Sequence, residues 1–166
     1  MDQIALEEIF VESFKAYGDA IFRFCMIKVS NTELAEDFTQ EVFTRYWQTL
    51  RKGTEMTNTR AYLYTIANNM AKDWYKKKKS VSLDAHMEKG FEPSTHTSAT
   101  SEQQSEYNEV LASISDMEED DKLVLLLRYV EGLEPKDISL ILGESANTIS
   151  VRLHRAVTKL QKRLHV

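Results

Sequence analysis

The sequence has little of what a disulfide, a sheet or a membrane span requires. One cysteine, Cys25, stands among 166 residues, which excludes an intrachain disulfide. It lies in an apolar run with Phe22, Phe24, Met26 and Ile27, which predicts a buried structural thiol rather than a nucleophile. No Cys/His cluster has metal-ligand spacing, so neither metal nor cofactor is expected. Two prolines and five glycines are too few for the turns of a sheet protein, and predict an all-α fold. No apolar run approaches the ~20 residues that cross a bilayer, so no direct membrane insertion is expected. The opening residues, MDQIALEEIF, are acidic and lack a basic n-region, which predicts a cytoplasmic protein without a signal peptide.

A basic excess is also missing. The formal net charge is -5, which argues against a protein that coats nucleic acid indiscriminately. The distribution says more than the sum. Residues 1–59 carry 6 basic and 10 acidic side chains, and residues 81–127 carry 2 and 11. Between and after them lie two basic islands: residues 60–80 with 6 basic and 1 acidic, and 128–166 with 7 and 4. Such islands meet phosphates locally while the acidic remainder keeps weak binding low.

What is present is helical periodicity. Leu6, Phe10, Phe14, Tyr17, Ile21 and Phe24 recur at three- and four-residue steps over 4–29, with Gly18 as a break or a close contact. A second helix follows the capping pair Asn31-Thr32, with Leu34, Ala35, Phe38, Val42 and Tyr46 on its apolar face. Asp37, Gln40, Glu41, Thr44 and Gln48 fall on the opposite face. After a loop at 51–59, a third helix over about 60–79 has a predicted buried stripe of Leu63, Ile66, Ala67, Met70 and Trp74. Its other side would show Tyr64, Asn68, Lys72 and Tyr75, flanked by Thr65, Asn69 and Lys76. Residues 80–106 are polar, rich in Ser and Thr and without apolar period, and read as a tether. Val110, Leu111 and Ile114 begin a second helical group, followed by the acidic run 116–121 and the segment KLVLLLRYVEGL. Gly132 stops that helix; Pro135 opens the next, with Ile138, Leu140, Ile141 and Leu142 apolar. Gly143 closes it, and Ser145 or Asn147 caps the last helix, 147–164.

Three surfaces carry chemistry. Residues 135–164 read as helix, tight turn, and a second helix with a basic outer face: a helix-turn-helix. In such a unit one face packs on the partner helix and the other enters a major groove, where Arg reads guanine edges or phosphates. Residues 60–79 combine aromatics, amides and lysines, which suits opened DNA, where rings stack on unpaired bases and lysines bind phosphate; taken one by one, Tyr62, Tyr64, Trp74 and Tyr75 read equally as core and rim packing. The Asp37, Gln40 and Glu41 patch, spaced i, i+3, i+4, has two carboxylates but no nearby nucleophile, oxyanion donor or metal ligand. A solvated helix face is the default reading of the patch and a protein-docking surface the sharper one, and the chain is not expected to be an enzyme.

Taken in order, these segments resemble the extracytoplasmic-function (ECF) group of the sigma-70 family of RNA polymerase sigma factors. AEDFTQEVFTRYW (35–47) is similar to the core-polymerase-binding helix, and RAYLYTIANNMAKDWYKKKKS (60–80) to the helix that melts and reads the minus-ten element. LRYVEGLEPKDISLILGESANTISVRLHRAVTKL (127–160) is similar to the domain that reads the minus-thirty-five element. The resemblance implies two helical domains, region 2 at 1–80 and region 4 at 107–166, joined by a linker at 81–106. It implies core RNA polymerase, promoter DNA and an anti-sigma factor as partners. Asp37, Gln40 and Glu41 would grip the coiled coil of the largest polymerase subunit. Tyr62, Asn69, Lys72 and Lys76 would face the minus-ten strand, with Asn69 lining the pocket of a flipped base. Ser150, Arg152, His154, Arg155 and Lys159 would face the minus-thirty-five duplex. The sequence departs from the family pattern at Ser150-Val151, at SDMEEDDK where relatives carry a proline, and at Tyr62, often Trp. The competing readings are a stand-alone helix-turn-helix regulator and a helical adaptor that does not bind DNA.

Overall fold

Asn31, Asn58 and Ser145 each sit one residue before a helix and tie down an otherwise unpaired amide. Asn31 Oδ1 accepts from the Leu34 N–H at 2.9 Å, Asn58 Oδ1 from Ala61 at 3.0 Å, and Ser145 Oγ from Thr148 at 3.1 Å. A computed structural model describes residues 2–81, 109 and 112–165, and among these all regular structure is helical. The expected tether at 81–106 lies outside the described residues, apart from Val81, the last residue of a helix. Val110 and Leu111 are also outside them. The chain divides into two compact units, Met1–Phe91 and Glu92–Val166.

The first unit holds α1 (Gln3–Val29), α2 (Thr32–Arg51) and α3 (Thr59–Val81), each packed against both others. Ile21, Phe24, Val42, Tyr46, Leu63 and Tyr64 are fully buried between them. Phe24 meets Tyr64 edge-on at 5.4 Å, and Phe10 stacks on Tyr46 at 6.1 Å. Cys25 is buried here, and burial pushes its thiol up to about 11, so thiolate is negligible near neutral pH.

Two expectations need correction. Gly18 does not break α1, which runs through it unbroken, and Gly18 is buried. A Cβ there would lie 3.8 Å from the Phe14 ring, an ordinary contact. Gly18→Ala is therefore expected to stabilise the unit by ~0.4–1 kcal/mol, by restricting the unfolded chain, and to raise its melting temperature by several degrees. A lower melting temperature would mean the ring cannot accept the methyl.

The second correction concerns α3. Its buried residues are Ala61, Leu63, Tyr64, Ala67, Asn68 and Ala71, whereas Ile66, Met70 and Trp74 are only half-buried. At 100° per residue this arc is about 160° wide and turned by roughly a quarter-turn from the predicted stripe. The cause is the double contact with α1 and α2, which needs a broad face of small residues rather than one narrow seam.

In the second unit a helical turn at 112–115 precedes α4 (Glu119–Leu125), which continues as one π-helical turn, Leu126–Val130. Gly132, at φ 69°, then reverses the chain, and the Leu133 N–H reaches back to Leu127 O at 2.9 Å. Helix α5 (Pro135–Leu142) ends at Gly143, φ 68°, and α6 (Ala146–Arg163) follows with Ser145, not Asn147, as its cap. Leu127, Ile138, Ile141, Ile149, Leu153 and Ala156 form the core. Leu140 departs from the apolar face assigned to it, being 64% exposed. Ile138 and Ile141 are the buried residues of α5, and at 100° per residue Leu140 lies about 130° from the centre of their face.

Candidate functional site

The exposed faces of α2, α3 and α6 carry the candidate residues. On α2, Ala35, Val42, Phe43, Tyr46 and Leu50 turn inward, which leaves Asp37, Gln40, Thr44 and Gln48 exposed on the opposite side. Glu41 is half-exposed and accepts from Arg45 Nε at 2.7 Å, one turn later on the same helix. Asp37, Gln40 and Glu41 thus span an arc of about 100°, with no other described helix of the first unit over it.

On α3, Asn69, Lys72 and Lys76 are exposed and Tyr62 is half-buried, its hydroxyl 2.8 Å from Thr49 Oγ1 on α2. At 100° per residue the four lie within an arc of about 80°, centred away from the buried arc. Tyr64 and Asn68, placed by periodicity among the displayed side chains, are core groups instead. Tyr75 donates its hydroxyl to Lys28 O, fixing the end of α3 to α1. The Lys78 ammonium sits 4.6 Å from the Trp74 ring centroid.

On α6, Ser150, His154 and Arg155 are exposed. Arg152 and Lys159 are held within the unit. Arg152 pairs with Glu144: Nη2 donates to Oε1 at 3.1 Å, and Nη1 lies 2.7 Å from Oε2. Lys159 Nζ donates to Asp121 Oδ2 at 2.8 Å, and that hydrogen bond, with the charge behind it, raises the lysine pKa. Arg163 Nη1 donates to Ser113 O at 3.0 Å and Nη2 to Asp116 O at 3.4 Å. Around α6, Ser150 and Arg152 mark the two edges of the outer face, with His154 and Arg155 between them.

The carboxylates of Asp121 and Glu144 are the groups that sequence reasoning missed. Asp121 stands 38 residues from Lys159, a distance no helical spacing rule reaches. The signal available was compositional: an acidic run beside a basic helix. Among the described residues no group of His, Cys, Asp and Glu is arranged to hold a metal, and no helix is long and apolar enough to cross a membrane.

Family models bear directly on this arrangement. The model for sigma-70 region 2 matches residues 13–81, and the model for sigma-70 region 4 matches 107–160. The ECF RNA polymerase sigma factor SigW of Bacillus subtilis (strain 168) is 28% identical over 171 residues, covering 95% of this chain and 90% of the relative. SigX of the same strain is 20% identical over 167 residues, covering 97% and 86%. Among solved structures, the sigma factor RpoE from Bartonella quintana, in complex with the anti-sigma factor NepR, has a TM-score of 0.77 at 22% identity, covering 96% and 98%. CnrH in complex with the cytosolic domain of CnrY has a TM-score of 0.67 at 19% identity, covering 96% and 89%. These likenesses in fold agree with the sequence matches, which place region 2 on the bundle of α1–α3 and region 4 on the helix-turn-helix. The chain belongs to the sigma-70 family, in its ECF group, and is an RNA polymerase sigma factor.

Proposed function

We propose that the two units divide the work of promoter recognition. Region 2, over 1–80, docks on core RNA polymerase through Asp37, Gln40 and Glu41 and holds the opened minus-ten strand against Tyr62, Asn69, Lys72 and Lys76. Region 4, over 107–166, reads the minus-thirty-five duplex with Ser150, Arg152, His154, Arg155 and Lys159, and residues 81–106 link the two. The observation that carries this reading is the outward orientation of all three faces, one acidic and two cationic, on elements whose cores are complete without them. Two weak modules on one chain gain effective concentration when both sites are within reach, and polymerase supplies that spacing. The chain acts as a non-catalytic, cytoplasmic subunit.

The complexes of RpoE with NepR and of CnrH with CnrY support an anti-sigma partner for this chain too. A stand-alone helix-turn-helix regulator is not favoured, because it leaves the region 2 match at 13–81 without a purpose.

The test is Arg155→Ala in holoenzyme. Binding to a promoter is expected to weaken by ~1–3 kcal/mol, the worth of one base contact, and core association to stay unchanged. The loss should vanish on the same promoter with a scrambled upstream element. Equal losses on both promoters, or none on either, would refute the assignment of α6 to that element.

A further inference from the structure

We infer that Asp121 and Glu144 determine specificity in the second unit: they occupy Lys159 and Arg152, so that α6 offers indiscriminate duplex fewer free cations than its sequence carries. This rests on the reading that α6 faces DNA.

Of the five cations on the basic side of α6, three are engaged within the unit: Arg152 by Glu144, Lys159 by Asp121, and Arg163 by two backbone carbonyls. Arg155 and Lys162 make no ion pair among the described residues. The Asp121 side chain is only 9% exposed, so its carboxylate is fixed in place by α4. Glu144 stands in the turn between α5 and α6 and accepts one hydrogen bond from its arginine, Nη2 to Oε1 at 3.1 Å, while Nη1 lies 2.7 Å from Oε2 as an ion pair. Glu118 and Asp120 join Asp121 along a groove of about 380 Å³ whose other wall is Arg152, Arg155 and Lys159. A DNA strand approaching this face meets carboxylates interleaved with the cations.

The consequence follows from competition. A phosphate must displace a carboxylate to reach Lys159 or Arg152, and a phosphate of arbitrary sequence brings nothing to offset that exchange. A matched site adds base-edge contacts, each worth ~1–3 kcal/mol, which drive the displacement. Both pairs are part-buried, so the exchange is made only where those base-edge contacts offset it. Each cation withheld removes about one phosphate from the non-specific count, and with it about 0.9 from the slope of log K against log salt.

The test uses the full chain and a fluorescein-labelled random-sequence duplex, titrated across a salt series. Asp121→Asn and Glu144→Gln are each expected to bind several-fold tighter at low salt. Each should steepen the slope by about 0.9, and the pair together by about 1.8. In holoenzyme, the preference for an intact over a scrambled upstream element should fall by a similar factor. Asp121 is buried, so Asp121→Asn could loosen the unit; Glu144→Gln, nearer the surface, carries the test independently. An unchanged slope for Glu144→Gln overturns the inference, whether or not its melting temperature drops. Arg155→Glu reports on the underlying reading. If it fails to weaken duplex binding, α6 does not face DNA and the inference falls with that reading. If it weakens binding while the carboxylate variants leave the slope alone, only the inference falls.

Discussion

Asp37→Ala combined with Gln40→Ala is expected to weaken binding to core RNA polymerase by at least about 2 kcal/mol, roughly thirty-fold in Kd. Helix content and melting temperature should not change. Both side chains are exposed, and neither makes a hydrogen bond or ion pair to another described residue. The fold therefore loses nothing when they are removed, and alanine favours the helix at least as well as aspartate or glutamine. A docking face differs from a solvated face in this respect: truncation is silent in the free protein and costly in the complex. Adding Glu41→Ala should deepen the loss and also release Arg45, whose i, i+4 pair is worth a few tenths of a kcal/mol. Titration of labelled chain into core polymerase, with circular dichroism of the free protein alongside, reads both quantities. Unchanged Kd in the double variant would make α2 an ordinary solvated helix.

Phe24→Ala should abolish the same binding by the opposite route. Phe24 is fully buried, packs edge-on against Tyr64 and has Lys28 over its ring at 5.9 Å. Removing a buried phenyl ring costs about 3–5 kcal/mol, in transfer free energy and in the cavity left behind. A small helical unit holds about 5–15 kcal/mol in all, so this is at least about a fifth of its stability and up to the whole of it. Loss of helical ellipticity and a melting temperature lowered by well over ten degrees are the expected signs. A variant that melts normally would mean the three helices collapse onto the vacated space, which the adjoining ring of Tyr64 makes difficult.

Much of this was legible in the sequence, because the signals that set it are local. The caps at Asn31 and Ser145, the stop at Gly132 and the opening at Pro135 act within one helical turn, and the helices start and end where those residues stand. The outer face of α2 was legible because its inner face is a single clear stripe. The orientation of α3 was not. Beside Leu63, its core side is built from alanines with Tyr64 and Asn68, which carry little apolar weight in a periodicity count, while Ile66, Met70 and Trp74 drew the predicted stripe away. Burial between two helices favours small residues for close approach, and a single-face pattern does not register that. The π-helical turn at Leu126–Val130 had no sequence marker either. The partners of Arg152 and Lys159 were hidden for a different reason. They come from the turn before α6 and from α4, and only the tertiary fold brings those carboxylates to the cations.

The central claim is that one face of α2 meets polymerase while the outer face of α6 meets promoter duplex. Photo-crosslinking within an assembled promoter complex tests it most directly, with a photoreactive residue placed at Gln40 in one variant and at His154 in another. Position 40 is predicted to capture the largest subunit of polymerase, and position 154 upstream promoter DNA. Capture of protein alone from position 154, or of DNA rather than polymerase from position 40, would contradict it.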